Sequence, residues 1–365
     1  MRSLLMSVHR WLALVTSLLL VAIALSGAAI VFEGSVADAS TTHVTPGARW
    51  LSLDTLGARA IAAAGGGEVA GIAFGRQPDQ AFTFAVVRDT SEQDLTVDPY
   101  TGAALGPSPG PTRLQTMLAK VHQFHTRLLA GAKGSAVVAF VTLSSLVLVL
   151  IGLVLWWRDK LWRIRWSASW KRIVFDIHHA LGVFAAVVLL IITGTGVWMG
   201  FPKQVDPLVL AFNSTAVPAG QPRPPAPEPG ATPVSLDSII RAANGAVPGA
   251  PVVMMQQMPN GAVMVALRYP EDHTPGGRSR VFIDRFRGTV LRSTNTRTAE
   301  AGTKLMNLQR PLHTGDIFGS ASRIVWFLAA VILSSQAVTG VLMWWNGRAG
   351  RRKRSQRGSA DPAAG

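Results

Sequence analysis

Four uninterrupted apolar blocks dominate the chain: Trp11 to Phe32, Ala136 to Trp157, Ala180 to Phe201 and Ile324 to Trp345. Each is 22 residues long and free of charged side chains, past the roughly 20 residues that a helix needs to cross a bilayer. The pattern predicts four transmembrane helices. Between the first and second blocks, and again between the third and fourth, it changes to short runs of strand length. These are Val69 to Phe74, Ala81 to Val87 and Leu95 to Val97, then Val252 to Met258, Ala262 to Leu267 and Arg280 to Ile283. Leu51-Ser52-Leu53-Asp54 precedes the first set and Val234-Ser235-Leu236-Asp237 the second, each with a serine placed to cap a short apolar helix. Each set ends in a turn, Asp98-Pro99-Tyr100-Thr101-Gly102 or Asp284-Arg285-Phe286-Arg287-Gly288, leading to a further short strand. One helix on a small antiparallel sheet is the expected α+β fold of each intervening segment.

The halves also repeat residue by residue. His125, Thr126, Gly131, Gly152 and Trp156-Trp157 recur 188 positions later as His313, Thr314, Gly319, Gly340 and Trp344-Trp345. His9, Leu12, Gly27 and Phe32 recur 169 positions later as His178, Leu181, Gly196 and Phe201. The fold class is therefore a polytopic α-helical membrane protein of two tandem repeats. Because the first block has a counterpart in the third and exceeds the usual length of a signal h-region, it is read as a retained helix rather than a cleaved leader.

Charge orients the helices. Arg158, Lys160, Arg163, Arg165, Lys171 and Arg172 lie between the second and third blocks, and Arg348, Arg351, Arg352, Lys353, Arg354 and Arg357 follow the fourth. Lysine and arginine mark cytoplasmic loops, so both termini are expected inside and the strand-rich segments outside. The net charge of +15 is largely this topology signal, with attraction to anionic lipid headgroups following from it; nucleic acid is not an expected partner. The expected divisions are 1–33 (first helix), 34–121 (first outside domain), 122–157 (second helix with a histidine segment) and 158–177 (basic loop). They continue with 178–201 (third helix), 202–233 (proline-rich extended linker), 234–310 (second outside domain), 311–345 (fourth helix with a histidine segment) and 346–365 (basic disordered tail). The absence of cysteine excludes disulfides, thiolate-held iron–sulfur clusters and covalent c-type haem attachment.

A histidine ahead of each membrane helix, in Val8-His9-Arg10-Trp11-Leu12, His125-Thr126-Arg127-Leu128-Leu129, Asp176-Ile177-His178-His179-Ala180 and Leu312-His313-Thr314-Gly315-Asp316, together with two Leu-Ser-Leu-Asp-type outside domains, resembles the PepSY-associated transmembrane family. The resemblance runs from about His9 to Trp345. It implies PepSY-like outside domains, a bacterial inner-membrane location and a link to iron uptake. Similar proteins include haem-containing reductases of ferric siderophores.

With both halves running the same way through the membrane, a pseudo-two-fold axis along the normal is expected to bring equivalent residues face to face. His9 would meet His178 at the cytoplasmic edge, and His125 would meet His313 at the periplasmic edge. Two facing imidazoles can supply both axial ligands of a b-type haem, so two haems are expected. Two histidines without matched carboxylates leave zinc short of ligands. His179 and His122 break the repeat, since Arg10 and Arg310 hold the equivalent positions. They stand as second choices, His179 as a replacement ligand and His122 as a contact for a haem propionate or substrate. His43 and His273 read as surface residues. Gly27, Gly152, Gly196 and Gly340 suit either helix packing or close approach of a ring. Met254, Met255, Met258, Arg278 and Arg280 could face a ligand, although a methionine-rich strand more often belongs to a core.

The function so implied is a transmembrane ferric-siderophore reductase whose haem iron performs the transfer. No dinucleotide-binding glycine motif follows a strand, and the cytoplasmic pieces are short. The electron donor is thus expected to be a separate cytoplasmic reductase or a membrane quinol. Alternative readings are a non-enzymatic membrane-anchored protein that binds or regulates a periplasmic partner, and an iron or haem transport component. Continuous straight helices would set the two histidine layers about 45 Å apart at 1.5 Å per residue, which is long for direct transfer.

Overall fold

The apolar blocks make up most of four helices of 29, 29, 31 and 39 residues, the third of which stops at Gly200 ahead of Pro202. A computed structural model describes residues 1–38, 41–213 and 220–358. Its elements run α1 (Arg2–Ile30), α2 (Glu33–Asp38), α3 (Leu53–Ala63), β1 (Glu68–Ala73), β2 (Phe82–Arg88), β3 (Ser91–Val97), β4 (Ala104–Pro107), α4 (Arg113–Arg127), α5 (Gly131–Asp159), α6 (Trp170–Gly200) and α7 (Pro202–Phe212). They continue with α8 (Leu236–Ala246), β5 (Val252–Gln257), β6 (Ala262–Leu267), β7 (Ser279–Asp284), β8 (Val290–Thr294), α9 (Ala301–Thr314), a 3-10 turn at Asp316–Phe318 and α10 (Ser320–Gly358). The chain divides into a helical unit (1–34, 113–206 and 309–365) and a sheet unit (35–112 and 207–308).

In the helical unit, α1 and α6 each pack against both α5 and α10. The four long helices thus form a ring with α1 opposite α6. Leu20, Ala24, Val141, Leu189, Ala329 and Leu333 fill its centre. The outward faces are equally apolar, with Leu18 82% and Val187 70% exposed. A helix apolar all round needs an apolar solvent, so this is a membrane protein. The loop before α6 is tied down by Asp176, whose buried carboxylate takes Arg172 Nε at 2.8 Å and Arg165 Nε at 3.3 Å.

The stretch 122–157, expected as one helix carrying a histidine segment, is two. α4 ends at Arg127, Leu128 and Leu129 take left-handed φ values of 48° and 57°, and α5 starts afresh at Gly131. Folding back lets α4 lay Leu118 and His125 on the bundle while Arg113, Lys120 and Arg127 stay exposed; a straight helix would have left that apolar stripe in water. The second half does likewise. After α9, Asp316 accepts from Thr314 Oγ1 at 2.7 Å and pairs with Arg323 Nε at 2.7 Å, and Trp326 Nε1 donates to the carbonyl of Leu312 at 2.7 Å. The helical unit accordingly begins at 113 and 309, earlier than the expected divisions after 121 and 310.

Two further expectations change. The linker 202–233 opens with helix α7, its Pro202 at the first helical position where a missing N–H costs nothing, and Trp198 Nε1 donates to Asp206 Oδ1 at 2.7 Å. The rest of the linker is extended where described, with 214–219 outside the described residues. The tail expected to be disordered from 346 continues α10 to Gly358, since arginine and lysine are good helix formers and suit a helix C-terminus; 359–365 lie outside the described residues.

The sheet unit holds the larger departure. The two outside segments form one antiparallel sheet of 8 strands in the order β4-β3-β2-β1-β5-β6-β7-β8. The join is β1 against β5, with Ile72 opposite Met255, and α3 and α8 lie over a single core that includes Leu56, Ile72, Phe84, Met255, Val265 and Ile283. Met255 is therefore core. Ser52 and Ser235 cap α3 and α8, accepting from the backbone N–H of Thr55 and Ser238. Each helix also caps the other: Asp237 accepts from the backbone N–H of Leu53 and Asp54 at 3.0 and 3.1 Å, and Asp54 accepts from that of Leu236 at 2.8 Å. Arg280 contacts Met264 and Arg278 contacts Thr274.

The two turns that close the third strands share a device. Asp98 and Asp284 each accept from the backbone N–H two residues on at 2.8 Å, and Gly102 and Gly288 take φ of 71° and 68°, a conformation favourable only to glycine. Burial pushes the Asp284 carboxyl up, but the N–H groups of Phe286 and Arg287 and the Arg287 guanidinium outweigh it and hold the group below the ordinary carboxylate range. A depressed native value stabilises the fold above the unfolded pKa of about 3.9 and ceases to do so as pH falls through the native value. Asp284→Asn should therefore cost about 1 kcal/mol at pH 7, and the difference should close as pH falls through the depressed native value of Asp284, read as convergence of wild-type and variant melting temperatures in detergent.

Candidate cofactor site

Two histidine pairs meet inside the helical unit. His9 on α1 and His178 on α6 face one another across the ring with centroids 6.4 Å apart and planes at 88°. His125 on α4 and His313 on α9 face one another with centroids 6.3 Å apart and planes at 44°. A metal–imidazole bond of about 2 Å on each side, plus the distance from each ring nitrogen to its own centre, requires a centroid separation of about 6 Å. Both pairs are spaced to ligate one metal ion from opposite sides.

The nitrogens are sorted accordingly. His125 Nδ1 lies 2.9 Å from the carbonyl of Ile23 and 3.2 Å from Ser26 Oγ. His313 Nδ1 lies 3.1 Å from the carbonyl of Ile192 and 3.1 Å from Thr195 Oγ1. His178 Nδ1 lies 2.9 Å from Thr339 Oγ1, and the backbone carbonyls of Leu148 and Gln336 stand to His9 and His178 as those of Ile23 and Ile192 do to the other two rings. Among the described residues no hydrogen bond engages Nε2 of any of the four, which leaves that atom to a ligand.

Glycine makes the room. A Cβ on Gly27 would stand 2.8 Å from His125 Cε1, and one on Gly196 would stand 3.1 Å from His313 Cε1. On Gly152 and Gly340 it would stand 3.6 and 3.7 Å from Cε1 of His9 and His178. The four rings lie on four glycine surfaces. Beside His9 and His178 a cavity of about 690 Å³ opens, lined by both glycines, Leu189, Leu333, Trp156 and Trp344, a size and apolarity typical of cofactor pockets.

The family description "PepSY-associated TM region" matches residues 6–346. The chain belongs to this family. No curated protein matches it.

In this PepSY-associated membrane protein the two histidines outside the repeat stand beside the pairs rather than within them. His179 lies on Phe175, with centroids 4.0 Å apart, and its Nδ1 is 2.9 Å from the Phe175 carbonyl. His122 pairs with Glu33 at 2.7 Å. His43 is exposed and pairs with Asp79 at 2.8 Å, and His273 is exposed. Ser26, Thr195, Thr339 and Glu33 were not legible as site residues. For the first two a signal existed: Ser26-Gly27 and Thr195-Gly196 stand at the same 169-residue offset as the histidines.

Proposed function

We propose that the protein is a b-type haem electron carrier of the bacterial inner membrane that reduces a ferric siderophore on the periplasmic side. The observation that carries this reading is the pair of matched histidine sets, 6.4 and 6.3 Å apart, with every Nε2 left unengaged. Two ligands from each set suit an iron whose remaining positions are filled by a flat ring. Among the described residues no cluster of three or more His, Cys, Asp or Glu gathers to hold a bare ion. When bound, haem supplies one-electron chemistry, and the chain supplies ligands, orientation and a dry surround.

The tandem arrangement supports the reading through distance. His9 and Gly27, on which His125 lies, are eighteen positions apart on α1, as are His178 and Gly196 on α6. At 1.5 Å per residue the layers are about 27 Å apart along the axis, not about 45 Å. The folded-back α4 and α9 account for the difference. On the positive-inside rule the His9 and His178 end faces the cytoplasm, beside Arg158, Arg163, Arg165 and Arg348. The sheet unit and the His125 and His313 end then face the periplasm, where the chain would receive the ferric chelate. One electron converts bound Fe(III) to Fe(II), which the chelate holds less tightly. The donor is a separate cytoplasmic reductase or a membrane quinol.

Full-length protein purified in detergent from haem-replete cells should be red and carry two haems per chain. Its reduced Soret band should return to the oxidised position when a ferric siderophore is added under nitrogen. A colourless protein would sink the reading.

A further inference from the structure

We propose that Arg2 and Arg10 hold the two propionate carboxylates of the ring between His9 and His178, so that this ring sits with its carboxylate edge toward the open end of the cavity. The proposal rests on the haem reading above and goes beyond it by assigning the groups that orient the cofactor.

The cavity beside His9 and His178 is charged at one end only. Arg2, Ser3 and Arg10 line it where α1 is exposed, whereas Leu20, Leu189 and Leu333 line it where the bundle is buried. Arg2 stands seven residues before His9, two helical turns along the same face of α1, and so about 10 Å nearer the opening. Arg10 follows His9 directly, as His179 follows His178 at the matching position of the other half, and both side chains line the cavity. Among the described residues that line it there is neither aspartate nor glutamate. Asp176, two residues before His178, is turned instead to Arg165 and Arg172. The cavity thus brings guanidinium groups to its opening and no acid of its own, a donor set that suits a ligand carrying carboxylates. A b-type haem carries two.

The cost of burying charge decides which way the ring faces. Turned about, its carboxylates would lie toward Leu20, Leu189 and Leu333, on the side where Gln336 rests against Gly182, one turn deeper than His178. Nε2 of Gln336 is buried without a partner and could donate to one of them. A single neutral amide does not offset the burial of two carboxylates, whereas two guanidinium groups beside water leave those carboxylates both paired and hydrated. The edge of the ring nearest the opening is then its propionate edge, at the end where electrons enter.

The test is a titration, followed at the Soret band, of full-length His125→Ala/His313→Ala protein in detergent, which keeps only this centre. Haemin is compared with its dimethyl ester, the same ring with both carboxylates masked. Arg2→Gln/Arg10→Gln should weaken haemin binding roughly tenfold, the worth of two charge-assisted pairs at an exposed rim, and leave the ester unchanged. With both arginines in place, added salt should weaken haemin and not the ester. Gln336→Leu, which installs the residue of the matching position, Leu148, should change neither. Equal weakening of haemin and ester by the arginine substitutions would overturn the proposal, as would a haemin affinity that neither they nor salt moves, the result expected if the arginines serve lipid phosphate alone. Selective weakening of haemin by Gln336→Leu would turn the carboxylates inward and overturn it too. Failure of the haem reading shows separately, as protein with all its arginines to which neither ring binds.

Discussion

Protein carrying His125→Ala is expected to bind one haem where the wild type binds two, and His313→Ala the same, as read by the pyridine haemochrome assay against protein concentration. Each substitution removes one of two facing ligands and leaves its partner Nε2 with nothing across the 6.3 Å gap. With one iron bond lost, a flat ring is held by a single ligand, while alanine itself is readily accommodated in a membrane helix bundle. His9→Ala and His178→Ala should remove the other equivalent, so that a variant in both pairs is colourless. His43→Ala should leave both, because that ring pairs with Asp79 on the surface of the sheet unit. The outcome that would break the pairing is loss of both equivalents, or of neither, from a single substitution at His125.

Gly27→Ala should act almost as strongly, without touching a ligand. The new methyl would meet His125 Cε1 at 2.8 Å, inside any real carbon contact, and the ring cannot retreat without giving up the Ile23 carbonyl at 2.9 Å. Overpacking of this kind costs about 1–3 kcal/mol, which exceeds the roughly 0.5–1 kcal/mol gained by replacing glycine with alanine inside a helix. The balance reverses at Gly152, where the methyl would stand 3.6 Å from His9 Cε1 at ordinary contact. Gly152→Ala should therefore leave the His125 and His313 equivalent intact, whereas Gly27→Ala loses that equivalent or broadens its spectrum. Equal behaviour of the two variants would show that the rings do not lie on these glycines as described.

Much of this was legible from the chain because the signals are local or periodic. Four blocks of 22 uncharged residues read as spans, and Ser52 and Ser235 read as caps because a cap is made within one helical turn. The facing of His9 with His178, and of His125 with His313, followed from two constant offsets and a shared direction through the membrane. The choice of His178 over His179 followed in the same way, and in the structure it is His178 that lies 6.4 Å from His9. What stayed hidden depends on contacts between distant segments. Asp54 and Asp237 each cap the helix of the other half across more than 180 residues, and no local pattern marks a cap of that kind. Glu33 as the partner of His122 was equally unmarked.

By itself the sequence determined the membrane character, the number of spans, the strands and the four histidines, since each is encoded by composition or spacing along one stretch of chain. Only the tertiary structure decided that the two outside segments share one sheet, because either half could have ended at β1 or β5 with an open edge, and the pairing of Ile72 with Met255 closes it. It also decided the depth of the histidine layers. The reversal at Leu128-Leu129 has no glycine or proline at those two positions to announce it; the apolar face of α4 finds its partner on α1, and that burial brings His125 back to Gly27.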